Sequence, residues 1–175
     1  MARLRYSMNT NVLVEVYHSL IHSYLRYGIM VWGNASESTL QPPKCLINRA
    51  VRIITFAPFG RVDLEHIYGY LKILDVEKVF YLETSKYMYK SKNSLIPVAV
   101  GNHFELSNPV PIHNYNLRNR GTTPQINTRL ESSEKSIKIR GEKLWNELPE
   151  NLQISISGKK FKRLLKSKLL ESYAK

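Results

Sequence analysis

Two histidines, a lone cysteine, two aspartates and three groups of cations are the side chains whose types and spacing could do chemistry in this chain. His18 and His22 stand four apart, so on a helix they share a face and could form a two-ligand metal arm. Ser19 follows His18 where a metalloprotease helix carries its glutamate, and no third ligand suggests itself. The expectation is helix packing with a hydrogen-bonded or exposed imidazole, with no metal and no other cofactor. Cys45 would need a histidine and an orienting partner to act as a nucleophile, and neither can be placed beside it. It reads as a buried thiol. As the only cysteine it rules out an internal disulfide and a Cys-rich zinc knuckle. It suits a reducing compartment without proving one; the expected setting is intracellular, nucleus or cytoplasm. Two-metal nucleotidyl transfer needs clustered carboxylates, yet the only aspartates are Asp63 and Asp75, with no paired-aspartate turn. This chain alone is not expected to be an enzyme.

The cations are more informative. Twenty-six Lys and Arg against fourteen Asp and Glu give a net charge of +12. Residues 111–175 hold 14 basic and 6 acidic groups, so two thirds of the excess lies in the last 65 residues. An anionic partner, nucleic acid or an acidic membrane surface, is the natural reading; a solvated basic surface is the bland alternative. Three sites could carry the contact. The run His-Asn-Tyr-Asn-Leu-Arg-Asn-Arg, from His113 to Arg120, offers a stacking face at Tyr115 and phosphate forks at Arg118 and Arg120. Its alternative is an irregular arm pinned by Tyr115 and Leu117, with the arginines in water. Lys159, Lys160, Lys162, Arg163, Lys166 and Lys168 could form the phosphate-binding side of a C-terminal helix. The same pattern also fits a membrane surface, a partner groove or an ordinary solvated face. Arg49 and Arg52, three apart on a helix, are secondary candidates.

The elements that must position these groups read as mainly α-helical: a bundle of about six helices with an irregular basic arm that has room for a two-stranded hairpin from Tyr115 to Asn127. No apolar run approaches the roughly 20 residues of a membrane span. Leu13, Val16, Tyr17, Leu20, Ile21 and Tyr24 recur at helical spacing, so the first helix runs from a cap at Thr10 or Asn11 to about Tyr27. Gly28 supplies the left-handed residue after it, followed by the apolar run Ile29–Trp32. A second helix capped by Ser36 or Ser38 tolerates Pro42 and Pro43 only in its first turn, and turns Leu46, Ile47, Ala50, Val51 and Ile54 inward. Asp63 opens a short turn that breaks near Gly69. Asp75 caps a helix to about Lys92 with Val76, Val79, Phe80, Tyr87 and Met88 on its apolar face. Order resumes near Ser136 with Ile137, Leu144, Trp145 and Leu148 packed, Gly141 a weak spot, and Pro149 a stop or the start of another turn. The last helix presents Phe161, Leu164, Leu165, Leu169 and Tyr173 on one face. Trp32 and Trp145 belong to the core. Three segments result: a helical scaffold over 1–100, a Pro- and Asn-rich basic arm over 101–135, and C-terminal helices over 136–175 that pack back on the scaffold.

Laid out in this order, the segments carry a set of landmarks. They are Tyr-His-Ser-Leu-Ile-His-Ser-Tyr-Leu-Arg-Tyr-Gly from Tyr17 to Gly28, then Val31-Trp32-Gly33-Asn34 and Asn48-Arg49-Ala50-Val51-Arg52-Ile53-Ile54. Next come Leu71-Lys72-Ile73-Leu74-Asp75, His113-Asn114-Tyr115-Asn116-Leu117-Arg118, and Gly141-Glu142-Lys143-Leu144-Trp145-Asn146-Glu147-Leu148-Pro149. Together they resemble the region downstream of the polymerase domain in non-LTR (LINE-type, jockey-like) retrotransposon reverse transcriptases, over nearly the whole chain. The Tyr-Gly…Val-Trp-Gly and Leu-Trp-Asn…Leu-Pro pair in sequence order is the strongest part, and Pro42-Pro43 departs from the pattern.

The resemblance implies a non-catalytic segment of an RNA-directed DNA polymerase that follows fingers, palm and thumb and helps to hold template RNA or target DNA. Its partners would be that nucleic acid and the parent's polymerase domain. Two other readings are a structural buttress of the thumb that binds no nucleic acid, and a truncated, non-functional copy of the element.

Overall fold

The computed structural model describes residues 2–58, 63–97, 136–154 and 157–173. Among the described residues the protein is mainly helical and has no strand. Each of the helices expected from the sequence has a counterpart. The possible hairpin from Tyr115 to Asn127 lies outside the described residues.

A 3-10 turn (Leu4–Tyr6) leads to α1 (Thr10–Val16). Its cap is Asn9, one residue ahead of the expected Thr10 or Asn11: the Asn9 side chain accepts from the Asn11 backbone N–H at 3.4 Å. From α1 the chain continues through a π-helical turn (Tyr17–His22) into α2 (Ser23–Arg26). This turn overturns the apolar stripe read from 3.6-residue spacing. The i→i+5 pairing of a π turn inserts extra residues per turn, so the buried register slips. Leu13 and Tyr17 are fully enclosed, and beyond the turn Leu25 takes the inward place. Leu20 and Tyr24, expected inside, are 64% and 85% exposed.

Gly28 lies in the left-handed region at φ 65, as its place after the helix suggests. The apolar run behind it closes into one turn, α3 (Ile29–Trp32), and only Ile29 of it is buried. Trp32 is half-buried rather than a core residue; its indole N–H donates to the Tyr27 carbonyl at 3.2 Å.

Helix α4 (Glu37–Thr55) follows Ser36 and contains Pro42 and Pro43 in its interior, not in its first turn. Neither proline can donate to the carbonyl four residues back, so Ser38 and Thr39 lose their intrahelical partners. Both residues are exposed, which lets water supply the missing donors. Ile47, Ala50, Val51 and Ile54 point inward as expected. Leu46 does not: it is 65% exposed, and its neighbour Cys45 is an exposed thiol rather than a buried one.

Helix α5 (Leu64–Leu71) is capped by Asp63, whose side chain accepts from the Glu65 N–H at 3.0 Å. It runs past Gly69 and ends where Lys72 turns left-handed at φ 54. Asp75 then caps α6 (Val76–Lys92) by accepting from the Lys78 N–H at 2.8 Å. Val76, Val79, Phe80 and Met88 of this helix are buried, as are Leu82, Thr84, Ser85 and Tyr89, so it is enclosed on several sides. Tyr87 is only half-buried.

Ser136 precedes α7 (Ile137–Asn146), Pro149 precedes the short α8 (Glu150–Gln153), and α9 (Gly158–Glu171) closes the described chain. The chain divides into two compact units, one of Met1–Glu83 with Leu164–Lys175 and one of Thr84–Arg163. In the first, Leu13, Tyr17, Ile29, Ile47, Val51, Ile54, Ile73, Val76 and Val79 form the core. In the second, Met88, Tyr89, Leu144, Trp145 and Phe161 do. Gly141 is no weak spot there: a Cβ on it would lie 2.9 Å from the Met88 sulfur, so the missing side chain is what lets α7 approach α6.

Candidate nucleic-acid interface

Helix α9 divides its residues as an amphipathic helix should, with one correction. Phe161 and Leu165 are fully buried and Tyr173, just past the helix, nearly so, whereas Leu164 is 39% exposed and lies off the expected face. Phe161 stacks on Tyr89 with ring centres 4.7 Å apart, and Trp145 lies 6.0 Å away. Tyr173 anchors the other end. Its hydroxyl donates to the Asp75 carboxylate at 2.8 Å and accepts from the Asp75 N–H at 2.9 Å. Its ring stacks on Tyr68 at 5.7 Å, and the Lys78 ammonium sits 3.0 Å above it. Burial pushes the Tyr173 and Tyr68 phenols up, and the nearby Asp75 charge adds to this, so both stay neutral.

Fixed in this way, α9 presents Lys159, Lys160, Lys162, Arg163 and Lys168 to solvent, with Lys166 half-buried. Lys159, Lys162, Arg163 and Lys166 fall at i, i+3, i+4 and i+7, one ridge of the helix. Elsewhere Arg26 pairs with Glu83 at 2.8 Å, and Lys44 with Glu37 and Glu77.

The two α4 arginines part company. Arg49 is exposed, whereas Arg52 is half-buried and its guanidinium donates to the Pro58 carbonyl at 2.8 Å. That bond ties Arg52 to its own loop and leaves Arg49 the better placed of the pair. Tyr115, Arg118 and Arg120 lie outside the described residues.

His18 and His22 both belong to the π turn, with ring centres 5.2 Å apart, edge to face. Burial holds His18 below its usual range, and the Lys166 charge adds to it. Burial likewise lowers His22 to about 4, reinforced by His18, Arg26 and Lys166 and opposed by Glu83. Both rings are therefore neutral near pH 7 and bring no positive charge to a polyanion. Among the described residues no three His, Cys, Asp or Glu side chains gather as a metal site. The two aspartates are committed as helix caps.

Two hollows accompany these groups in the first unit. A polar one of about 260 Å³ is lined by Glu65, Asp75 and Glu77 together with Lys44, Asn48, Tyr68 and Tyr173, a balance of charge that repels phosphate. The other is an apolar groove of about 760 Å³ between α2, α3 and α4. Sequence periodicity missed this groove because Leu20, Tyr24, Leu46 and Trp32 all counted as interior. The available signal was the pair Ser19 and Ser23, whose hydroxyls bond back to carbonyls of the preceding turn, a habit that distorts helices.

No family model, curated protein or solved structure matches this chain. No helix of the described residues is long and apolar enough to cross a membrane.

Proposed function

We propose that this chain is a non-catalytic segment of a non-LTR retrotransposon reverse transcriptase, and that it grips the phosphate backbone of RNA or DNA through the cations of α9. The observation that carries the reading is the division of that helix: Phe161 and Leu165 are locked inside while five cations stand in water. The landmark residues of the sequence supply the parentage. A role without bond-making chemistry agrees with the use of Asp63 and Asp75 as caps, since each carboxylate is occupied by a backbone N–H.

Phosphate contacts release condensed counterions, so affinity must fall with salt. The test is fluorescence anisotropy of labelled RNA and DNA oligonucleotides between about 50 and 200 mM salt. Contacts from the five exposed cations would give a logarithmic slope of about 4.5 on duplex DNA, a loss of about 10²–10³ in affinity over that range. Changing Lys159, Lys160, Lys162 and Arg163 to Gln should reduce the logarithmic salt slope by about 0.9 per lost contact on duplex DNA and about 0.7 on a single strand. A flat titration, or an unchanged slope in the variant, sinks the reading.

A further inference from the structure

We propose that the apolar groove between α2, α3 and α4 is a self-association surface, on which a second copy of this chain docks about a two-fold axis. Among the described residues, the lining of the groove contains no Lys, Arg, His, Asp or Glu. Around it, Leu20, Tyr24, Tyr27, Val31 and Leu46 are exposed by 64, 85, 85, 87 and 65%. A whole aromatic side chain offers about 150–250 Å². On that scale these five residues hold on the order of 700 Å², more than the roughly 300–600 Å² of the largest apolar patch on a typical monomer. One side of a standard interface buries about 800 Å². The patch is therefore large enough to carry a stable dimer with little help from its rim.

Charge and shape both favour a second copy. Each chain carries +12, so two copies repel across most of their surfaces and can approach cheaply only where cations are missing. This groove is such a place. An acidic partner drawn by charge would find no cation among the described lining residues to recognise. A two-fold contact also requires one surface to be both knob and hollow. Tyr24, Tyr27 and Val31 project, while Leu25 and Ile47 are buried and line the floor between them. The α1–α2 helix places the groove residues Leu20 and Tyr24 away from its core register and from Arg26, which pairs with Glu83. Polyanion binding and self-association thus use different residues, and either can fail while the other stands.

Sedimentation velocity of the full chain from about 1 to 100 μM tests the proposal. The expected result is a concentration-dependent monomer–dimer equilibrium. Tyr24→Lys and Val31→Lys should each raise the dissociation constant at least about tenfold, with helical circular dichroism unchanged because both positions are exposed in the single chain. A folded wild type that stays monomeric throughout overturns the proposal and leaves the groove to a different polypeptide. A dimer that persists in both variants also overturns it, as does a pair of variants whose only defect is weaker oligonucleotide binding.

Discussion

The helix running from α1 through α2 and the helix α9 have the same kind of sequence, an apolar stripe interrupted by polar and charged residues, yet the stripe describes only the second. In α9 nearly every residue is where 3.6-residue spacing puts it, and the cations fall outside. In the first helix the spacing holds as far as Tyr17 and then slips, so Leu25 replaces Tyr24 on the inner side. What differs is one π turn. A register change in the backbone moves side chains between core and surface without any change in composition, and here it leaves large apolar groups in water.

The contrast can be broken or sharpened by substitution. Phe161→Ala removes the fully buried ring that seats α9 and should cost about 3–5 kcal/mol in urea unfolding. A loss under 1 kcal/mol would mean that α9 does not depend on this ring. Next, Leu25→Ala should cost about 2–5 kcal/mol, whereas Tyr24→Ala in dilute protein should stay within about 0.5 kcal/mol. A continuous α-helix predicts the reverse order, so this pair tests the π turn directly. Tyr173→Phe leaves Asp75 without its phenol partner and should cost about 1–3 kcal/mol by the same measurement.

His22 gives a smaller, pH-dependent effect. Its pKa is lowered from 6.5 to about 4 in the folded chain, so the unfolded chain binds the proton more readily between those values. Stability from the neutral ring is complete above about pH 6.5 and is lost as pH falls toward 4. Allowing for solvent screening, the loss is on the order of 1 kcal/mol, or about 2–4 °C in Tm, and His22→Gln should flatten the profile over that window. Smallest of all, the Gln variant at Lys159, Lys160, Lys162 and Arg163 should change stability by less than about 0.5 kcal/mol, as expected of exposed side chains. A large loss would reveal that these cations hold the fold rather than a ligand.

The helices themselves were legible because their signals are local. Asp63, Asp75 and Ser136 each stand at the start of a helix, Gly28 ends one, and Lys92 closes α6 where Asn93 and Ser94 suggest. What sequence alone could not give depends on distant neighbours or backbone hydrogen bonding. Gly141 looks like a flaw until Met88 lies against it. Pro42 and Pro43 look like a helix start until Leu40 and the residues after Lys44 commit to one continuous helix. The basic ridge of α9 was legible as charge and spacing. Arg52 was not, since only the place of the Pro58 carbonyl shows where its guanidinium goes.

The tandem prolines of α4 leave the opening turns of that helix attached by few rungs of backbone hydrogen bonding. A side-chain strap spans the gap: the Lys44 ammonium donates to both Glu37 carboxylate oxygens, at 2.9 and 3.0 Å. Ionic attraction at a solvent-facing site weakens as electrolyte is added. Deuterium uptake over residues 37–41 should therefore run ahead of uptake over 47–54 and quicken with ionic strength, so that α4 unravels from its leading end while its trailing end stays shut.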